Sequence, residues 1–545
     1  MSVANNIKLW AAPATRSCFK NAVPFFSDSD TITLEAAKGE RISVQLLLRN
    51  DVRIKFKEDV AEKTLIVNDI KIKQICGEKF DTGRINAGAQ EYISFADGIT
   101  YPDAVSNGVK SEILPNTTGG FIISFDISCE QSSGEYEFKI NFIHNIEGLE
   151  KELSATVKLK IYNVTVPSPA NAAYSIEHFT NPACEDMLHG VGYDYPIFSE
   201  KFWEFMDEYA KSLKNCRSNV YRIYPIRLLG AAGSRRTAQG TWVFDFTLFD
   251  RMIKLLNESG AIKLYSIQDP LKSWDGKEIE AIGESGESIY IHLDDPDAEI
   301  WAREYFTALY EHIKQTDDVS RWIMHIQDEP CNADVWIKVC EWVNKYMPTF
   351  RTGNPICRDI AAKIKDFADI LIPIFYEAEE NKNFYQEILE SGACDVWGYC
   401  CCDPSQSHYL NRFIDRPAIQ PRLISWATYS MGFSGFLHYG YSYWQKTPPF
   451  APFSIGEYSS YKGDSMLIYP DPVSNSYKES IRYINLCDGA QDFELLKIVE
   501  KKNPSLASSL AARAAKSYTE FNADESAFLK VRHDLLVSAE DAFNG

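Results

Sequence analysis

Two adjacent acidic residues, Asp328 and Glu329, end an apolar run that begins at Trp322, and Pro330 follows them. A short apolar run of this kind is typical of a buried parallel strand that delivers side chains to a site at its carboxyl end. Pairing should stop at the proline, and a residue before proline favours extended backbone geometry. We therefore expect both carboxylates to turn towards one cavity. The alternative is that Asp328 caps a following helix and Glu329 lies on the surface.

The composition limits the classes of function that this chain of 545 residues can have. Its length favours two or three domains, and its 13% aromatic content is in keeping with sugar-binding clefts as well as with large cores. Lys and Arg number 56 against 76 Asp and Glu, a net charge of −20. So acidic a chain is a poor candidate for binding nucleic acid or anionic membranes.

Location and redox state are predicted from what the sequence lacks. It has no apolar run of transmembrane length and no signal peptide, which predicts a cytoplasmic protein without membrane insertion, or a secreted one if a leader has been removed. Thirteen cysteines, an odd number, favour reduced thiols over a disulfide framework. Cys400, Cys401 and Cys402 lack the spacing of a zinc site, so we expect buried apolar packing there.

Three regions are predicted along the chain: a β-sandwich over 1–165, a (β/α)8 catalytic barrel over 166–500, and a helical segment over 501–545 packed on the barrel. The first region contains short β-rich runs separated by turns, and 134–142 and 153–162 alternate like the two strands of a hairpin. A proline-bearing linker follows it at 163–172.

Eight strand candidates then alternate with amphipathic helices, which predicts a (β/α)8 barrel. A doubly wound open sheet is the second choice, although no strand is followed by a glycine-rich phosphate turn. The expected barrel strands are 174–179, 219–223, 262–267, 322–327, 355–358, 370–376, 395–399 and 435–444. From Ser480 onward the chain is predicted to be helical.

Polar and aromatic residues at the strand ends are candidates for the site, because barrel active sites lie on that face. Each also has a structural explanation: a satisfied buried histidine, a structural arginine, barrel core for a tryptophan and tyrosine that share a face, helix packing for Trp444, and a solvated helix start for Glu377. Besides Asp328 and Glu329, the candidates are Glu177, His178, Arg222, Asp269, Tyr376, Glu377, Trp397, Tyr399 and Trp444.

Two hydrolytic mechanisms fit acids at barrel strand ends. The common retaining design uses two carboxylates about 5 Å apart, one as nucleophile and one as acid/base. The seventh strand offers only Asp395 as a second acid, at its start, which is the wrong end. In the alternative, the 2-acetamido oxygen of the substrate attacks C1, and the protein supplies one carboxylate to orient the amide and a neighbouring acid/base. Adjacent Asp328 and Glu329 would supply that pair.

The order of motifs along the chain resembles glycoside hydrolase family 123. The resemblance lies in the predicted sandwich and barrel, residues 327–330, and three closing segments at 435–439, 463–470 and 480–496. Gln491 and Phe493 depart from the family's more usual acidic residue and tyrosine.

The resemblance implies a retaining β-N-acetylgalactosaminidase that acts by substrate assistance, with Asp328 as acetamido stabiliser and Glu329 as general acid/base. It implies a glycan substrate with terminal β-linked N-acetylgalactosamine, such as a glycosphingolipid oligosaccharide, and no metal or organic cofactor. We expect His178, Arg222, Tyr376, Trp397, Tyr399 and Trp444 to bind substrate. The alternatives are a two-carboxylate glycosidase for another sugar and a non-catalytic carbohydrate-binding barrel.

Overall fold

The fold is that of a computed structural model, which describes residues 6–51, 64–95, 98–146, 148–179, 185–272, 275–444 and 461–544. Its amino-terminal part consists of two β-sheets that enclose an apolar core rich in valine, isoleucine, leucine and phenylalanine. The strands are β1 Asn6–Pro13, β2 Thr31–Lys38, β3 Arg41–Asp51, β4 Leu65–Cys76, β5 Ile85–Ser94, β6 Thr100–Val105, β7 Ser111–Ile113, β8 Thr118–Asp126, β9 Gly134–Ile146 and β10 Leu149–Thr165.

A closed barrel of eight parallel strands follows, in the order β11-β12-β15-β19-β20-β21-β22-β23. Short antiparallel strands lie between some of them, and two final strands follow the barrel. The strands are β11 Ser175–His178, β12 Val220–Ile223, β13 Arg235–Arg236, β14 Trp242–Val243, β15 Leu264–Ile267, β16 Leu271–Lys272, β17 Glu278–Ile282, β18 Ser288–His292, β19 Trp322–His325, β20 Arg351–Ile356, β21 Ile370–Pro373, β22 Asp395–Tyr399, β23 Gly435–His438, β24 Tyr469–Asp471 and β25 Ser476–Ser480.

Amphipathic helices surround the barrel, and three more close the chain. They are α1 Glu185–Gly190, α2 Glu200–Cys216, α3 Pro225–Ala232, α4 Thr247–Ser259, α5 Pro296–Thr316, α6 Ala333–Tyr346, α7 Arg358–Ile364, α8 Phe375–Glu380, α9 Lys382–Ser391, α10 Gln420–Ser430, α11 Ile481–Lys502, α12 Pro504–Ala514 and α13 Glu525–Asn544. No helix within the described residues is long and apolar enough to cross a membrane.

The predicted fold class, a sandwich followed by a barrel and carboxyl-terminal helices, is confirmed. The predicted pairing of 134–142 with 153–162 is confirmed too, since Phe142 in β9 lies opposite Leu153 in β10. The doubly wound alternative is wrong, because β23 pairs with β11 and closes the sheet. No disulfide joins cysteines within the described part of the chain.

Several strand boundaries differ from the prediction. The fourth and sixth barrel strands end at His325 and Pro373, before the predicted 327 and 376, and the fifth begins at Arg351 rather than near 355. The eighth ends at His438, because Gly440 then passes so close to the Asp464 carbonyl that a Cβ would lie 2.3 Å from it.

The segment from 469 to 480 belongs to the sandwich sheet, although the sequence places it in the barrel region. β24 pairs with β25, and β25 pairs antiparallel with β6 through Glu479 opposite Val105. A buried ion pair joins the same regions, since Arg482 Nη2 lies 2.9 Å from Asp103 Oδ2. These contacts fix the sandwich against the barrel.

Candidate active site

The carboxyl end of β19 carries the predicted acidic pair, and Asn354 of β20 holds the backbone that leads to it. The Asn354 Oδ1 accepts hydrogen bonds from the Ile326 backbone N–H (3.1 Å) and from the Trp336 indole N–H (2.7 Å). The Asn354 amide donates to the Gln327 carbonyl. A buried asparagine with both amide atoms engaged fixes a chain segment that has left the sheet ladder.

Glu329 adopts a left-handed backbone conformation, with φ +44°. The expectation of extended geometry before Pro330 is therefore wrong. Non-glycine residues rarely adopt positive φ, and such conformations concentrate at functional sites. The sharp turn has a clear consequence, since Asp328 and Glu329 have different neighbours. Asn332, and not Asp328, caps the following helix α6.

Asp328 faces the second and third barrel strands. Burial, reinforced by the negative charges of Asp269 and Glu329, raises the pKa of Asp328 to about 7. The positive charge of Arg222 opposes this shift. The Arg222 guanidinium donates to Asp269 at 2.7 Å and lies 3.8 Å from the ring centre of Phe179. Asp328 is thus a carboxyl group that changes protonation near neutral pH.

A cavity of about 280 Å³ opens beside Asp328. The antiparallel strands β16, β17 and β18, which follow the third barrel strand, form its outer wall. Its volume suits a single small ligand, such as one sugar residue. The lining residues are Gln268, Asp269, Leu271, Lys272, Glu280, Tyr290 and Asp328.

Glu329 faces the opposite side of the barrel mouth, towards the sixth and seventh strands. The Tyr399 hydroxyl donates a 2.5 Å hydrogen bond to Glu329 Oε1. Burial and the charge of Glu329 raise the pKa of Tyr399 well above its usual value, so this hydroxyl remains a donor. Tyr376 lies on the same side, and burial together with Glu377, Asp403 and Glu329 raises its pKa to about 12. Glu329 itself is exposed at the mouth.

A buried polar cluster lies beneath the acidic pair inside the barrel. Glu177 of β11 accepts hydrogen bonds from Ser266 and from His325 Nε2, the latter at 3.0 Å. Burial alone would raise the pKa of Glu177, but His325, Arg222 and Ser266 outweigh it and lower the pKa below its ordinary value. Glu177 is therefore an ionised carboxylate that organises the interior, fully covered from solvent.

Four of the candidate residues do not lie at the mouth. His178 lies on the outer face of β11, with its two ring nitrogens bonded to Ser218 and Arg412. Trp397 fills the barrel interior against Gly435, where a Cβ would lie 2.5 Å from its ring.

Trp444 donates its indole N–H to the Ile468 carbonyl and stacks on Tyr193, behind the barrel wall. Glu377 accepts from the Arg358 backbone in the first turn of α8. The structure thus brings together Asp328, Glu329, Arg222, Asp269, Tyr376 and Tyr399.

Several residues near the acids were not foreseen. Asn354 lies inside the fifth strand, and Lys272, Glu280 and Tyr290 come from the strands that follow the third. The alternation of 278–282 and 288–292 was the available signal for this added sheet. No group of three histidine, cysteine or acidic residues is placed to hold a metal ion within the described ranges.

Comparison with protein families identifies the chain. The model of the glycoside hydrolase 123 catalytic domain matches residues 189–499, more than half of the sequence. The chain belongs to glycoside hydrolase family 123. The matched region contains Asp328, Glu329 and Tyr399, whereas the sandwich and β11 lie outside it. No curated protein sequence matches this family 123 hydrolase.

Solved structures support the same fold. A family 123 glycoside hydrolase from Clostridium perfringens, described for glycolipid glycan hydrolysis, is 16% identical, with a TM-score of 0.72, and the match covers 99% of this chain and 98% of that one. A family 10 xylanase with a bacterial Ig-like domain from termite gut is 11% identical, covering 76% and 94% (TM-score 0.32). A family 2 β-galacturonidase from Eisenbergiella tayi is also 11% identical, covering 83% and 69% (TM-score 0.30).

Proposed function

We propose that this family 123 hydrolase is a retaining β-N-acetylgalactosaminidase that uses the 2-acetamido group of its substrate as nucleophile. Asp328 orients the acetamido N–H and stabilises the oxazolinium ion. Glu329 protonates the leaving oxygen and then activates water for the second step. The divergence of two adjacent carboxylates to opposite sides of the barrel mouth is the observation that carries this proposal.

The divergence suits the stereochemistry of the reaction. The acetamido oxygen attacks C1 from one face of the sugar while the leaving group departs from the other, so the stabilising and protonating groups must not share one side. Asp328 lines the cavity of about 280 Å³, where the terminal sugar would bind. Glu329 borders the open side with Tyr376 and Tyr399, where the remainder of the glycan would leave.

The substrate class is proposed from the related hydrolase. The Clostridium perfringens family 123 enzyme is described for glycolipid glycan hydrolysis. The family resemblance and that description together suggest glycolipid glycans that end in β-linked N-acetylgalactosamine. In this assignment Asp269 and Arg222 would bind polar groups of the terminal sugar, because both lie beside Asp328.

The deciding experiment compares two aryl β-glycosides, the N-acetylgalactosaminide and the galactoside, with a thiazoline mimic of the oxazolinium as inhibitor. We expect cleavage of the first only, with inhibition by the thiazoline and an initial product of retained configuration in NMR spectra. A matched N-acetylglucosaminide measures the preference between the two sugar configurations.

Two outcomes would contradict the proposal. Cleavage of the plain galactoside would mean that the protein supplies its own nucleophile, and Asp328 would lose its assigned role. Binding of N-acetylgalactosamine in calorimetry without turnover of any glycoside would favour a non-catalytic carbohydrate-binding barrel. Soluble aryl glycosides keep both tests independent of the lipid.

A further inference from the structure

One end of the sandwich exposes a group of apolar side chains, which we call the apolar tip: Val23, Phe25, Phe26, Ile99 and Leu114. Phe26 is fully exposed, and Phe25 is 61% exposed. Apolar residues scattered singly over a surface are common, but a group of exposed apolar side chains at one place indicates an interaction site.

Three loops converge to form the apolar tip. The Thr118 backbone N–H and hydroxyl donate to the carbonyls of Lys20 and Ala22, at 2.8 and 2.7 Å, which joins the loop after β1 to the turn that carries Leu114. The Phe19 and Tyr101 rings lie 5.7 Å apart, which joins the same loop to the hairpin of β5 and β6.

The apolar tip lies on the rim of the catalytic face. A helix that follows a barrel strand begins on the face where the strands end, and α10 begins there at Gln420. Just before it, the Ala418 N–H donates to the Ser17 hydroxyl in the loop after β1. Arg16 ties Phe25 to the start of α13, with its guanidinium 4.6 Å from the ring centre and 2.5 Å from Glu525.

The three segments are almost without charge. Residues 17–27, 98–102 and 113–118 contain one lysine and no acidic residue, in a chain with 76 acidic residues. A net charge of −20 repels anionic surfaces, so an acid-free end is the part of the molecule best suited to approach a neutral apolar phase. Exposed aromatic side chains enter the interfacial layer of a bilayer readily.

We propose that the apolar tip binds the surface of a neutral phospholipid bilayer and holds the barrel mouth at that surface. This inference rests on the proposed function, in which the substrate is a glycolipid. Separate loop tips suit a fluid surface, because a folded partner requires a continuous complementary face of roughly 800 Å² on each side. The glycan would then reach the mouth while its lipid stays in the bilayer.

The first test is sedimentation with phosphatidylcholine vesicles that contain no glycolipid, which makes it independent of the proposed substrate. We expect the protein to sediment with them, and the Phe25→Ser/Phe26→Ser variant to lose at least about tenfold in partition coefficient. Binding should persist in high salt, because no charges carry it. It should weaken on phosphatidylserine vesicles, since the chain is acidic.

Phe543→Ser is the matched control. Phe543 is an exposed phenylalanine near the end of α13, the helix whose first residue contacts Arg16. The helix has 20 residues, which at the usual rise spans roughly 30 Å, so this side chain lies far from the apolar tip. Its loss should leave vesicle binding unchanged.

The second test compares substrates. The double variant should hydrolyse a soluble aryl N-acetylgalactosaminide at the normal rate, which also reports correct folding, and a vesicle-bound glycolipid at least about tenfold more slowly. Absence of vesicle binding by the unmodified protein would overturn the inference and leave the proposed activity untouched. Equal binding by the double variant would overturn it too, as would self-association in sedimentation velocity that the double variant abolishes.

Discussion

The Tyr399 hydroxyl donates a 2.5 Å hydrogen bond to one carboxylate oxygen of Glu329, across the gap between the seventh and fourth barrel strands. Tyr399 was expected to be a sugar platform, but the contact makes it a residue that positions Glu329. Because one oxygen is held by Tyr399, the other can carry the proton to the leaving group.

Tyr399→Phe should therefore reduce activity without removing the acid itself. The loss of one hydrogen bond to a charged group corresponds to about a 10- to 100-fold fall in kcat/KM. The loss should be greater on substrates with poor leaving groups, which need well-positioned protonation. An equal loss across a series of aryl leaving groups would mean that Tyr399 contacts the sugar instead.

Glu329→Gln tests the acid directly. Removing a general acid should lower kcat on natural glycans by about 10²- to 10⁴-fold. The loss should be small for the first step on 2,4-dinitrophenyl substrates, whose leaving group departs without a proton. Burst kinetics that separate the two steps provide the measurement. If activated and unactivated substrates lose rate equally in the first step, Glu329 is not the acid.

Much of this arrangement could be predicted because contiguous residues carry it. The run from Trp322 to Pro330 contains both acids, and the rhythm of apolar strands and amphipathic helices predicts the barrel. The conformation of Glu329 could not be predicted in this way. The proline favours extended backbone, and the observed positive φ is accompanied by the Asn354 contact from another strand and the Tyr399 contact.

The orientation of strand residues was equally hard to predict. All four residues of β11 are buried, so no polar and apolar alternation distinguishes the inner face from the outer. Glu177 therefore lies inside the barrel, while the neighbouring candidate His178 lies outside it. The cavity wall of β16 to β18 depends on pairing between short strands that the single sequence does not specify.

The pH dependence should report Asp328. An ionised Asp328 accepts the acetamido N–H, and a protonated one does not, so kcat/KM should fall as the pH drops below about 7. Asp269→Asn removes a negative neighbour, which lowers the pKa of Asp328 and moves this acidic limb to lower pH. Asp207→Asn, at an exposed position on α2, is the control. A limb that stays in place in the Asp269 variant would separate it from Asp328.

Asp328→Asn should stabilise the protein while it impairs turnover. The pKa of Asp328 is about 7 in the folded state and near 4 in an unfolded chain, so the folded state binds this proton more tightly. Its ionisation therefore destabilises the fold as the pH rises from about 4 to above 7. The full shift corresponds to about 4 kcal/mol, and partial exposure of the carboxyl reduces this to about 1–3 kcal/mol.

The measurement is Tm by calorimetry at pH 5 and pH 8 for the unmodified protein and the Asp328→Asn variant. The variant should gain Tm at pH 8 and gain much less at pH 5, where the native carboxyl is already protonated. Lower turnover together with higher stability is the pattern expected of a carboxylate kept near its neighbours for chemistry. An equal change in Tm at both pH values would mean that its ionisation carries no such cost, and the acidic limb would then need another group.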